Sequence, residues 1–136
     1  MIDILAEIAQ LLHEAGVGTF DPEGVNGNIF IGHMPKSPDG AIAIYPVEGL
    51  GDDLWNNTIR PSIQILTRGG QDIRTALKMA EGVYNELQGI NAKNLGTFYV
   101  IGCASNTYSP VNLGADTQGR FECSHTFRFE LMKEVM

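Results

Sequence analysis

The sequence has few basic residues, few cysteines and no long apolar run. Nine lysines and arginines stand against sixteen aspartates and glutamates in 136 residues, which gives a net charge of −7. This balance leaves no basic surface for gripping nucleic-acid phosphates. No apolar segment approaches the roughly 20 residues that a membrane-spanning helix requires. The composition therefore argues against a nucleic-acid-binding protein and against contact with a membrane.

The two cysteines, Cys103 and Cys123, each lie within an apolar segment typical of a strand. Their spacing matches neither a CxxC motif nor a zinc finger, and a reduced, cytosolic setting is the default for such a chain. The first ten residues carry Asp3 and Glu7 where a secretory signal peptide needs basic residues, so no signal peptide is expected. A chain of this length can bury a hydrophobic core without the help of metals or disulfides. We also expect no cofactor.

Charge is distributed unevenly along the chain. Residues 1–53 contain nine acids and a single base, Lys36, whereas the remainder contains seven acids and eight bases. Surface bias alone would produce such a pattern. Two unlike halves would also suit head-to-tail self-association, in which patches of different charge meet.

Apolar periodicity predicts two helices and five strands. The helices run from Met1 to Ala15 and from Asp72, as N-cap, to a stop at Gly89, because apolar residues recur at helical spacing in both. Alternating or continuously apolar segments predict strands at 28–34, 41–47, 58–68, 97–104 and 121–131. The Pro- and Gly-rich turn at 35–40 indicates that the first two strands form a hairpin.

The order of these elements is α-β-β-β-α-β-β. Short connections between strands favour antiparallel pairing, and the apolar stripes of the helices need a sheet to cover. The sequence therefore predicts an α+β fold in one domain, residues 1–136. In it a mostly antiparallel sheet of about five strands carries two amphipathic helices packed on one face.

The stretch GRFECSHTFRFEL, residues 119–131, places Cys123 and His125 on the same face of the last predicted strand. With a further ligand from His33 or Cys103 they could form the metal site of a small metal-dependent enzyme. Zinc sites normally use three or four protein ligands. The sequence alone does not show that a third ligand lies close to Cys123 and His125. Core packing is the other interpretation, and it requires a hydrogen-bond partner for the imidazole of His125.

Nucleophilic and acid–base catalysis find no support in the sequence. Ser124 and His125 are adjacent in a strand and so face opposite sides, which separates a nucleophile from its base. Cys123 lies on the predicted core face, where a thiol is normally inert. Asp52 and Asp53 lie in a predicted loop with nothing to raise the pKa of either carboxyl. The sequence predicts no catalytic group.

Two predicted loops, 48–57 and 105–118, each contain an aromatic residue outside the predicted core positions of the helices and strands. These residues are Trp55 and Tyr108. An exposed aromatic side chain is a candidate contact for another protein, although Trp55, beside Leu54, could equally pack onto its own sheet. Exposure and charge together suggest eight candidate interface residues. They are Asp52, Asp53, Leu54, Trp55, Arg60, Arg68, Tyr108 and Arg120.

Two segments resemble phage tail terminator proteins, a family also described as minor capsid proteins. The first is IRPSIQILTRGGQD followed by IRTALKMAEGVYNELQGI, residues 59–90. It shares a strand ending in Arg, a polar turn and a helix with small residues, here Ala76 and Ala80. The second is SPVNLGADTQGRFECSHTFRFEL, residues 109–131, which shares a Gly-Arg entry into a long alternating final strand. One departure is Thr126, where the family often has Asn.

The resemblance implies a structural virion protein without catalytic residues. Such proteins assemble as a ring, typically a hexamer, that caps the tail tube and joins it to the head or neck. The implied partners are further copies of the chain, the tail tube protein and a head-completion or neck protein. DNA would pass through the ring without specific binding, and the protein would reach the virion after assembly in the host cytoplasm. A metal-dependent enzyme, a cytosolic α+β ligand-binding module and a neighbouring head–tail joining protein of similar fold remain the alternatives.

Overall fold

The computed structural model describes residues 2–53, 58–105 and 107–132, with the side chains of 2–3 and 48–53 left out of the description. Its elements in chain order are α1 Ile2–Glu14, β1 Ile29–Ile31, β2 Ala41–Asp53, β3 Thr58–Arg68, α2 Ile73–Leu87, β4 Asn91–Leu95, β5 Phe98–Ala104, β6 Val111–Ala115 and β7 Phe121–Met132. The two predicted helices correspond to α1 and α2. The last three of the predicted strands correspond to β3, β5 and β7.

The strands form one mixed sheet in the order β1-β2-β3-β7-β5-β4, and β6 pairs with β7. β3 runs antiparallel along one edge of β7 for nearly its whole length. The other edge of β7 is shared, because β6 pairs with its first residues and β5 with its last. The longest apolar-alternating strand of the sequence is therefore central in the sheet.

The prediction of about five strands was wrong, because the described ranges alone contribute seven strands to the sheet. β4 and β6 have the sequences NAKNL and VNLGA, and most of their residues are exposed. A strand at a sheet edge buries little on either side, so its sequence lacks the alternation that reveals a half-buried strand. β2 also extends to Asp53, into the predicted loop 48–57, through two register shifts against β3.

The predicted hairpin between the first two strands was also wrong. β1 pairs with β2 in parallel, with Ile29 opposite Ile42 and Ile31 opposite Ile44. A hairpin turn would make the second strand run opposite to the first. The segment 32–40 instead returns the chain to the end of the sheet where β1 begins, so β2 runs in the same direction as β1. The sheet is therefore mixed rather than wholly antiparallel.

Both helices pack on a common cluster of buried residues from the sheet. α1 contributes one apolar stripe and α2 another, and both pack on apolar side chains of the strands. The fully buried large side chains are Phe127, Phe129, Ile4, Ile8, Leu12, Ile29, Ile42, Ile44, Ile63, Ile65, Leu87 and Leu131. All four residues from Ala41 to Ile44 are buried, so the first part of β2 is covered on both of its faces.

The β3–α2 connection shows why Gly69 follows the strand. A Cβ atom at position 69 would lie 2.7 Å from the backbone nitrogen of Ala76, so only glycine permits the helix to approach this closely. Asp72 is the N-cap, as predicted, since its Oδ1 accepts a hydrogen bond from the backbone N–H of Arg74 at 2.9 Å. Neither of the helices in the described ranges has the length and apolar character needed to cross a membrane.

Candidate assembly surface

The sheet has one face on the helices and one face directed away from them. Phe127 and Phe129 of β7 are buried against the helices, so the alternating residues Thr126, Arg128 and Glu130 lie on the other face. A shallow cleft of about 360 Å³ on β5 and β7 is lined by Arg128, Glu130 and Arg60 of β3, among others. We call this side of the sheet the open face.

Arg60, a predicted interface residue, lies on the open face and pairs with Glu130. The Nε atom of Arg60 is 3.4 Å from Oε2 of Glu130, and the two side chains are 31% and 43% exposed. Partly exposed pairs of this kind contribute about 0–1 kcal/mol to stability. The pair is available at the surface, and a role for Arg60 in an interface stays a prediction.

Arg68 was expected to be an exposed cation, but at the end of β3 it is buried, with only 2% of its surface exposed. Its Nη2 donates to the carbonyl oxygen of Pro38 at 2.7 Å and its Nε to that of Asp39 at 3.0 Å. Burial, and then the nearby charge of Arg120, lower the pKa of the Arg68 guanidinium. A buried arginine needs such partners, and here they are backbone carbonyls that the sequence does not reveal.

Arg120, at the entry to β7, is buried for a related reason and is only 6% exposed. Its Nε donates to Oδ2 of Asp116 at 2.9 Å, and its Nη1 lies 3.2 Å from Oδ1 of Asp39 and also donates to the carbonyl oxygen of Lys36. Backbone N–H groups, first that of Arg120 itself, lower the pKa of Asp116. Arg68 and Arg120 thus hold the loop 36–39 against the ends of β3 and β7.

Tyr108 is exposed, as its interface prediction requires. It has 73% of its surface accessible, and its ring makes a T-shaped contact with Tyr84 of α2, with the centroids 5.2 Å apart and the planes at 80°. The contact leaves most of the ring available to a partner. The structure thus confirms the exposure, and the partner contact stays a prediction.

The other four candidates are Asp52, Asp53, Leu54 and Trp55. Asp52 and Asp53 belong to the last residues of the strand, where Asp53 is opposite Thr58 of β3, and their side chains are not described. Leu54 and Trp55 lie outside the described residues. The predictions made for these four stay predictions.

Cys123 and His125 are both buried, with 1% and 4% of their surface exposed. The Nε2 atom of His125 lies 2.9 Å from the carbonyl oxygen of Thr107, which is the hydrogen bond that core packing required. Burial raises the pKa of the Cys123 thiol, and it raises that of Cys103 to about 12. His33 is exposed. In the described ranges no three His, Cys, Asp or Glu side chains converge to hold a metal ion.

Apart from Tyr108, the three most exposed large apolar residues of the described ranges were missed by sequence reasoning. Val111 and Leu113 of β6 are 61% and 51% exposed, and Val25, in the turn before β1, is 74% exposed. Each stands in a stretch that reads as a polar loop, so pattern alone does not single it out. For Val111 and Leu113 the sequence does contain one indication of exposure to a partner. Residues 105–115 have no charged side chain, although the whole chain has a net charge of −7.

The fold is similar to that of a chain in a solved structure titled "Virion of native gene transfer agent (GTA) particle". The TM-score is 0.70 at 15% sequence identity, over 93% of this chain and 92% of that chain. At this identity the likeness concerns the fold alone. No curated protein is similar enough to this sequence to count as a match.

A family model described as "Bacteriophage tail terminator protein" matches residues 11–133. The matched range includes both sequence segments that carry the resemblance, residues 59–90 and 109–131. It also includes every described strand, from β1 to β7. The chain belongs to the bacteriophage tail terminator protein family.

Proposed function

We propose that this protein is a structural subunit of the virion that forms a closed ring, expected to be a hexamer, on the end of the phage tail tube. The ring caps the tube and joins it to the head or neck. The observation that carries the proposal is the family match over residues 11–133, nearly the whole chain.

The partners follow from this role. They are further copies of the chain, the tail tube protein and a head-completion or neck protein. DNA passes through the ring without specific binding, and the net charge of −7 supports a lumen that does not hold its phosphates. The subunit is a single domain of residues 1–136, assembles in the host cytoplasm and remains in the virion.

A ring built from identical subunits requires two different surfaces on each subunit, which meet around a closed rotation. We propose that Tyr108, before β6, contributes to these surfaces together with four consecutive residues, Asp52, Asp53, Leu54 and Trp55. Arg60 offers an ion pair on the open face. For Arg68 and Arg120 we propose an indirect role, in which they hold the loop 36–39 in the shape that a neighbour contacts.

The role proposed is structural rather than enzymatic. The Nε2 atom of His125 donates a hydrogen bond to the carbonyl oxygen of Thr107 at 2.9 Å, which supports a packing role for this side chain. Elemental analysis of protein purified without chelator tests the competing metal-dependent enzyme. A stoichiometric metal that is lost in His125→Ala would contradict the structural role.

Electron microscopy of the purified protein, with its mass measured by light scattering, tests the ring directly. We expect closed rings in solution or on added tail tubes, and a mass that gives the subunit number. A protein that stays monomeric and forms no ring when tail tubes are supplied would overturn the proposal.

A further inference from the structure

β6 is an edge strand that exposes apolar side chains. It pairs with β7 and, among the described residues, with no other strand. Tyr108, Val111 and Leu113 in and before it are 73%, 61% and 51% exposed. An edge with free backbone groups and apolar side chains is a template for association with another chain, unless charge protects it.

The other edge strand on this side of the sheet, β4, is protected in that way. Three of its four exposed residues, Asn91, Lys93 and Asn94, are polar, and Lys93 places a charge in the middle of the strand. Edge lysines are a common means of blocking strand-to-strand association. The contrast between β4 and β6 marks β6 as the edge open to a partner.

The turn 21–26 presents a second apolar contact on a rigid support. Val25 in this turn is 74% exposed. The carboxylate of Asp21 accepts hydrogen bonds from the backbone N–H groups of Glu23, Val25 and Asn26, at 3.0, 3.3 and 3.0 Å. A side chain held on a preformed turn loses less conformational entropy when it binds.

The turn and β6 lie at opposite edges of the sheet. Phe20, directly before the turn, bridges to Ile29 of β1, which is the first strand of the sheet. β6 lies on the far side of β3 and β7. We propose that these edges are the two halves of the subunit contact, so that the turn carrying Val25 on one subunit packs against Tyr108, Val111 and Leu113 of the next. The inference rests on the proposed ring, since a contact between unlike edges repeats around a rotation.

Charge favours this pairing of edges. The turn carries Asp21 and Glu23 and no base, while residues 105–115 carry no charge at all. Beside β6, Val111 and Arg128 line one cleft of about 330 Å³ on the open face. Copies of an acidic protein repel one another, and this contact places the acidic turn on a neutral strand next to a cation.

Thiol crosslinking of subunits mixed with tail tubes tests the contact. The double variant Val25→Cys/Val111→Cys carries one new thiol on each proposed half, and a flexible bismaleimide joins thiols that meet. We expect a ladder of covalent oligomers larger than dimers. Each single variant should stay uncrosslinked, because its thiols lie on only one of the two unlike surfaces. The unmodified protein is the control, since Cys103 and Cys123 are 4% and 1% exposed.

Each other result overturns the inference in a distinguishable way. Dimers from Val111→Cys alone would show that β6 meets itself. A double variant that forms rings in electron micrographs but gives no ladder would exclude this contact and leave the proposed function standing. If the unmodified protein forms no ring on tail tubes, the proposed function falls and this contact falls with it.

A charge placed on the strand gives a second test that does not need cysteine. Leu113→Lys should lower the yield of rings roughly tenfold or more, because the contact would have to desolvate an ammonium group. The matched control is Asn94→Lys on β4, which should leave the yield unchanged. Equal ring yields from Leu113→Lys and the unmodified protein, with both folded, would overturn the contact.

Discussion

The imidazole of His125 lies parallel to the phenol ring of Tyr84, with the ring centroids 5.5 Å apart and the planes at 11°. Phe127 packs on the same imidazole at 4.7 Å, and Tyr108 makes a T-shaped ring contact with Tyr84. His125 therefore joins β7 to α2 and to the loop before β6. The residue that looked most like a metal ligand in the sequence is a packing and hydrogen-bonding element of the core.

Replacement of His125 should destabilise the subunit strongly. His125→Ala removes the stack on Tyr84 and leaves the carbonyl oxygen of Thr107 without its donor, so we expect a loss of about 2–4 kcal/mol in the free energy of unfolding. Urea denaturation measures it. The control is Thr126→Ala at the exposed neighbouring position, which should change stability by less than about 0.5 kcal/mol. Similar losses in both variants would contradict the packing role.

Arg68 should matter for stability far more than an exposed arginine does. Arg68→Ala leaves the carbonyl oxygens of Pro38 and Asp39 without their donors and opens a gap, so we expect a loss of about 2–4 kcal/mol. Arg68→Lys should restore only part of it, because a point charge cannot reproduce the guanidinium fork. The control is Arg74→Ala, since the Arg74 side chain is 86% exposed. A loss no larger than the control's would show that the loop 36–39 is held by other contacts.

Asp116 should contribute to acid sensitivity. Its pKa in the folded state lies below the ordinary value of 3.8, because backbone N–H groups and Arg120 stabilise the carboxylate. Its contribution is therefore present above the unfolded-state pKa and is lost as the pH falls through the folded-state pKa. Unfolding curves from neutral to strongly acidic pH should show a shallower acid loss in Asp116→Asn than in the unmodified protein. Identical acid slopes would rule out this contribution.

The two natural cysteines should be unreactive in the folded protein. Both are buried, and burial raises the pKa of Cys123 and raises that of Cys103 to about 12, so little thiolate forms at pH 8. Mass spectrometry after maleimide treatment should find no adduct in native protein and two after unfolding in urea. The Val111→Cys variant supplies a positive control with one rapid adduct. Fast labelling of the unmodified native protein would mean that the cysteine sites open readily.

Trp55 should act in assembly rather than in the fold of the subunit. We expect Trp55→Ala to weaken ring formation more than it lowers the melting temperature of the monomer, because an interface aromatic loses its partner contact only in the assembly. Light scattering and thermal unfolding measure the two effects separately. Equal losses in both would place Trp55 in the core.

The sequence predicted secondary structure correctly for those helices and strands that bury only one of their faces. α1, α2, β3 and β7 each bury one face, so apolar residues recur at the period of the element and reveal it. Asp72 and Gly89 marked the limits of α2 by local chemistry that needs no tertiary partner. The family resemblance of residues 59–90 and 109–131 was readable for the same reason, since both segments include such elements.

Edge strands and buried arginines were not readable. β4 and β6 exist because β5 and β7 supply hydrogen-bond partners, and their own side chains are largely exposed. Arg68 and Arg120 looked like surface charges until the loop 36–39 brought carbonyl oxygens to them. Contacts between segments that are far apart in the sequence leave no local sequence pattern from which they could be predicted.

By itself, the sequence determined the α+β class, both helices, the central strand β7 with its core face, and the family. These depend on periodicity and local chemistry that a linear chain displays. Only the tertiary structure decided that β1 and β2 are parallel, that His125 bonds to Thr107, and that apolar side chains are exposed at both edges of the sheet. Those outcomes depend on which distant backbone groups come together, and side-chain periodicity does not specify that pairing.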